Sequence, residues 1–78
     1  MPEVTFYTRE GCSLCRVAKA VILGLRREVE FVFREVDIGR DGELYELYKY
    51  DIPVVEIDGK RAFKHRVDRE ALQARLSP

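Results

Sequence analysis

The spacing of apolar residues changes period along the chain, and each change marks a predicted element. Val4 to Thr8 is rich in β-branched and aromatic residues and is closed by the turn-like Arg9-Glu10-Gly11, which predicts a buried central strand. From Ser13 the period becomes helical. Leu14, Val17, Ala18, Val21, Ile22 and Leu25 follow the i, i+3, i+4, i+7 spacing of one apolar face, with Arg16, Lys19 and Arg26 off it. This helix is expected to end near Arg27, where Arg26 and Arg27 suit its negative C-terminal end. Gly24 costs up to about 1 kcal/mol in the last turns.

A second strand is expected over Phe31 to Val36, and Arg34 and Glu35 in its interior place it at a sheet edge. Asp37-Ile38-Gly39-Arg40 then leads to Asp41, the N-cap of a short helix ending near Lys49, with Leu44, Leu47 and Tyr48 on one face. The runs Ile52 to Ile57 and Arg61 to Lys64 flank Asp58-Gly59, a dipeptide characteristic of tight hairpin turns. Asp68 is the N-cap of a terminal helix carrying Ala71, Leu72 and Leu76, and Val67 before it is placed to staple onto Leu72. The predicted order is β-α-β-α-β-β-α, an α/β chain with a mixed four-stranded sheet and helices on both faces.

Seventy-eight residues make one domain, spanning residues 1–78, that buries roughly 60% of the unfolded chain's surface. A hydrophobic share of 46% excludes a mostly disordered chain. Charges balance at fourteen of each sign and the basic residues are scattered, so no nucleic-acid partner is expected. Met1-Pro2-Glu3 lacks a signal pattern and the apolar runs are too short to cross a bilayer, which points to a soluble cytoplasmic chain without a membrane partner; a monomer is expected.

The chemistry is concentrated in Cys12 and Cys15, the only two cysteines. A loop this short constrains little of the unfolded chain, so the pair is no structural scaffold. Cys12 falls at a helix start, where unpaired N–H groups and the helix dipole favour the thiolate. Arg9 and Arg16 would assist and Glu10 would oppose. A closed zinc site needs four ligands, and His65 is the only histidine, so a metal or cluster could be held only between chains. An inert pair is the remaining alternative. A Cys-x-x-Cys beside a β-α-β unit favours redox chemistry, with Cys12 attacking a substrate disulfide and Cys15 resolving the mixed disulfide.

Tyr7-Thr8-Arg9-Glu10-Gly11-Cys12-Ser13-Leu14-Cys15, Val36-Asp37-Ile38 and Ile52-Pro53-Val54 with the Asp58-Gly59 hairpin resemble the glutaredoxin-like branch of the thioredoxin superfamily, over nearly the whole chain. The resemblance implies the minimal thioredoxin fold and a redox-active Cys12–Cys15 disulfide. It also implies a cis-Pro53 facing the thiols that leaves the Ile52 N–H and C=O free to pair with an extended substrate. Arg9 matches a lysine that contacts a carboxylate of glutathione, and Asp68 matches an acidic residue of the same site. That site's Gly-Gly pair is here Lys64-His65-Arg66-Val67, and Ser13-Leu14 stands where the family often has a proline and an aromatic residue. No bound cofactor is implied. Substrates would be disulfide-containing proteins, glutathione a co-substrate, and glutathione or a thioredoxin-type reductant the electron donor. His65 is open to a proton-transfer or a merely solvated role, Tyr7 to a groove or core role, and Tyr45, Tyr48 and Tyr50 are expected to pack about the second helix with polar tips outward. A thioredoxin-fold binding module with little turnover is the competing reading, and it differs in needing no ionised Cys12.

Overall fold

A computed structural model describes all 78 residues. The strands are β1 (Glu3–Thr8), β2 (Val32–Asp37), β3 (Val54–Ile57) and β4 (Lys60–Lys64), and the helices are α1 (Ser13–Gly24), α2 (Gly42–Tyr48) and α3 (Arg69–Leu76). They follow in the expected order, and single 3-10 turns at Leu25–Arg27 and Ile38–Arg40 extend α1 and lead into α2. The sheet has the order β2-β1-β3-β4. β1 and β2 are parallel across the α1 crossover, while β1–β3 and β3–β4 are antiparallel. The run richest in β-branched and aromatic residues is thus central, and the strand with Arg34 and Glu35 is an edge.

Alternation along β1 and β3 divides two cores. Val4, Phe6, Val55 and Ile57 face Ala18, Ile22 and Leu25 together with Leu72 and Leu76 of α3. On the other face Val54 packs with Ile38 and Tyr48 under α2. Each large side chain fully buried here, such as Phe6, Ile22 or Leu72, contributes about 1.5–3 kcal/mol relative to exposure. No helix is long and apolar enough to cross a membrane.

The caps are those the sequence predicts. Asp41 Oδ1 accepts from the amides of Glu43 and Leu44 at 3.0 and 3.2 Å, and Asp68 Oδ2 accepts from Ala71 at 2.9 Å. Asp58 and Gly59 both have positive φ, 51° and 83°, the backbone of a two-residue hairpin turn that matches strand twist.

Three apolar residues lie outside the faces expected of them. Leu14 and Val17 are exposed, because the line that meets the sheet is Cys15, Ala18 and Ile22 of α1, continued by Leu25 of the 3-10 turn. A buried cysteine takes the place in the first turn that periodicity gave to Leu14. Leu47 is exposed as well, and Tyr45 takes its place against Ile38, Tyr48 and Val54. The third strand begins at Val54 rather than Ile52, since Ile52 turns back to the end of α2.

Candidate active site

The turn after β1 delivers Cys12 to the start of α1 in extended backbone, φ −93° and ψ 105°, as the N-cap. Its Sγ accepts the amide hydrogen of Cys15 at 3.1 Å, satisfying one of the donors that a helix start leaves unpaired. Gly11 before it has φ 78°, the left-handed backbone that glycine adopts without a Cβ penalty. The two sulfurs are bonded as a disulfide, with Cα atoms 5.2 Å apart. Cys12 is half-buried and Cys15 is 3% exposed, so only the first sulfur is open to a large substrate.

A groove of about 630 Å³ runs beside the pair between α1 and the end of β2, lined by both cysteines and by Arg9, Arg16, Lys19 and Glu35 among others. The Arg9 guanidinium lies 5.4 Å from the centre of the Tyr45 ring, and its Nη1 donates to the Tyr45 hydroxyl at 3.3 Å. Tyr45 thus steadies Arg9 at the groove. On the other side of α1, Leu14 and Val17 line a second, smaller groove with His65, Arg66, Val67 and Asp68. The structure therefore gathers Arg9 on one flank of the cysteines and Asp68 on the other.

The Ile52–Pro53 peptide bond is cis. Pro53 is buried, and its carbonyl accepts from the His65 amide at 2.8 Å. The Ile52 N–H, expected free, donates instead to the Tyr48 carbonyl at 3.2 Å. A helix end leaves carbonyls without partners, and this amide and that of Asp51 at 2.8 Å fill the role for α2. The Ile52 carbonyl accepts no hydrogen bond within the chain.

His65 links two loops. Its Nε2 bonds the Tyr50 carbonyl at 2.9 Å, and its backbone has φ 66°. With a carbonyl as partner the nitrogen is the donor. The imidazole ties the β4–α3 loop to the segment before Pro53, in a conformation that suits a glycine better.

Tyr7 and Tyr48 form a unit that sequence reasoning did not find. Their ring centres lie 4.7 Å apart with the planes tilted by 36°, and their hydroxyls donate to Glu56 Oε1 and Oε2, both at 3.0 Å. Burial, then the hydrogen bond to Glu56 and its negative charge, push the Tyr7 hydroxyl up to about 12. Tyr48 is raised by the same causes, opposed by Arg61, whose guanidinium lies over its ring at 5.2 Å. The available signal was Glu56 itself, a carboxylate between Val55 and Ile57 that needs donors on its own face.

The glutaredoxin-like domain description (DUF836) matches residues 3–77. Over 76 residues the chain is 39% identical to the glutaredoxin-like protein YDR286C homolog of Dictyostelium discoideum, with 90% of this chain and 70% of that protein covered. The solution structure of protein Ne2328 from Nitrosomonas europaea is 27% identical and superposes with a TM-score of 0.83, over 97% of this chain and 92% of that one. A thioredoxin variant from Halobacterium salinarum NRC-1 superposes with a TM-score of 0.72 over 96% of this chain and 71% of that one; at 16% identity it shows the shared thioredoxin fold alone.

Proposed function

The chain belongs to the glutaredoxin-like domain family, and from that premise we propose that it is a small dithiol thiol–disulfide oxidoreductase, reducing protein disulfides or glutathione mixed disulfides. The observation that carries this reading is the place of Cys12: its sulfur caps α1, takes the Cys15 amide hydrogen and lies at an open groove, bonded to a shielded partner. In the reduced protein the Cys12 thiolate attacks a substrate disulfide, forming a mixed disulfide and expelling one substrate thiolate. Cys15, after losing its proton to water, attacks Cys12 Sγ; the Cys12–Cys15 bond forms and the second substrate thiolate leaves to take up a proton. The protein is oxidised by two electrons and the substrate reduced by two. Glutathione or a thioredoxin-type reductant restores the dithiol.

Arg9, held on Tyr45, is a carboxylate contact for glutathione or a peptide terminus. The Ile52 carbonyl offers an acceptor for an extended substrate's N–H, beside Pro53. Asp68 uses one carboxylate oxygen for its cap and keeps Oδ1 for a substrate ammonium. The chemistry needs no bound cofactor, and the protein would work as a monomer in the reducing cytoplasm.

Turnover of a small disulfide with glutathione tests the proposal. Cys12→Ser should abolish it, while Cys15→Ser should keep only a route through glutathione mixed disulfides. Equal activity in the two variants would contradict the assignment.

A further inference from the structure

Two cations stand one helical turn beyond the two sulfurs. Arg16 is at i+4 from Cys12 and Lys19 at i+4 from Cys15, and all four line the same groove. Side chains at this spacing are neighbours on a helix surface. Lys19 is not free to wander, because its Nζ lies 2.8 Å from Glu35 Oε1 of β2 across the groove. Cys15 is otherwise buried among apolar side chains of the larger core, where desolvation opposes a thiolate.

We infer that the Lys19–Glu35 pair tunes the ionisation of Cys15, with Lys19 stabilising the thiolate and Glu35 both holding Lys19 in place and offsetting part of its charge. The inference rests on the redox reading above, since only a resolving cysteine needs to lose its proton. The step concerned is the second one, in which the Cys15 thiolate displaces the substrate sulfur from Cys12. Lys19 neither accepts the proton nor touches substrate; it is a positioning residue whose field makes the thiolate more abundant while the proton goes to water. The other charges along the groove are Arg9 and Glu10 before α1, Arg16 on α1 and Asp37 at the end of β2. Asp37 is turned to its own loop, accepting from the Gly39 amide at 2.9 Å, with Arg40 at 3.6 Å. Glu35 is the acidic group that pairs with Lys19.

Both side chains of the pair are 40% exposed, so solvent screening keeps the effect modest. The sign is the diagnostic. In reduced protein carrying Cys12→Ser, Cys15 titrates alone and its thiolate absorbance can be followed against pH. Lys19→Met should lower the thiolate fraction below the midpoint by about twofold, the size expected of an i, i+4 charge pair. Glu35→Gln should raise it by a similar factor, and the double variant should return near the parent. A merely structural role would move both single variants the same way, in step with their thermal stability. Shifts in one direction, or none at midpoints resolved to a tenth of a unit, would overturn the inference. Turnover by the otherwise unaltered protein is read separately: an inactive protein showing the opposed shifts would refute the redox reading while leaving the Lys19–Glu35 assignment in place.

Discussion

The amide of Cys15 points at the sulfur of Cys12, 3.1 Å away, so the atom assigned to attack substrate is also the N-cap of its helix. A thiolate accepts that hydrogen bond more strongly than a thiol does. Folding therefore favours the ionised form, and the reduced protein should alkylate at Cys12 with a midpoint below the free-cysteine value of about 8.5. The linked stability has a definite sign. With the folded midpoint depressed, the thiolate adds stability above the unfolded value and that stability is lost as pH falls through the folded midpoint. Alkylation rate and urea stability of the reduced protein, each measured against pH, check the two halves.

The capping role separates two substitutions that are equally inactive. Serine is a good N-cap and alanine a poor one, so reduced Cys12→Ser should be more stable than reduced Cys12→Ala by about 1 kcal/mol. Urea denaturation of both variants under reducing conditions measures the difference.

Glu56 holds two phenols at once, and its removal leaves both hydroxyls short of a partner. Glu56→Ala should cost about 1–3 kcal/mol and lower the Tyr7 midpoint toward its ordinary 10.0. Because Tyr7 is raised to about 12, the stability it contributes is complete below pH 10.0, its unfolded value, and is lost as pH rises toward the folded one. Ultraviolet titration of tyrosinate, with alkaline unfolding curves of parent and variant, reads both effects.

His65 combines positive φ with a side-chain bond to the Tyr50 carbonyl. Alanine keeps the backbone strain and loses the bond, whereas glycine loses the bond and relieves the strain. His65→Ala should therefore be less stable than His65→Gly by about 1 kcal/mol, and thermal unfolding of the pair decides it.

The order of elements, the helix caps and the Asp58-Gly59 turn were legible in the sequence because each depends on neighbours in the chain. Asp41 and Asp68 cap within three residues of themselves, and the turn needs only the backbone of Asp58 and Gly59, although Asp58 Oδ1 also accepts from the distant Glu3 amide at 2.9 Å. The cysteine pair was legible for the same reason, since a helix start and a three-residue spacing place both sulfurs. What escaped depends on how elements meet across space. Leu14 and Val17 have a helical apolar period, yet the sheet takes the line through Cys15 instead. The Glu56 carboxylate joins phenols from β1 and α2, and Lys19 meets Glu35 across the groove, pairings that no local pattern encodes. His65 belongs with these, as its partner Tyr50 lies fifteen residues away on another loop.

Redox turnover at this site requires Cys12 and Cys15 to interconvert reversibly between dithiol and disulfide. Equilibration of the protein against redox buffers of graded ratio, with the disulfide fraction read by alkylation and mass, measures this. One reversible two-electron transition is expected, moving the ratio of disulfide to dithiol tenfold for each roughly 30 mV of potential. A pair that stays in one state across the whole range, or that exchanges only into mixed disulfides without closing the Cys12–Cys15 bridge, would contradict it.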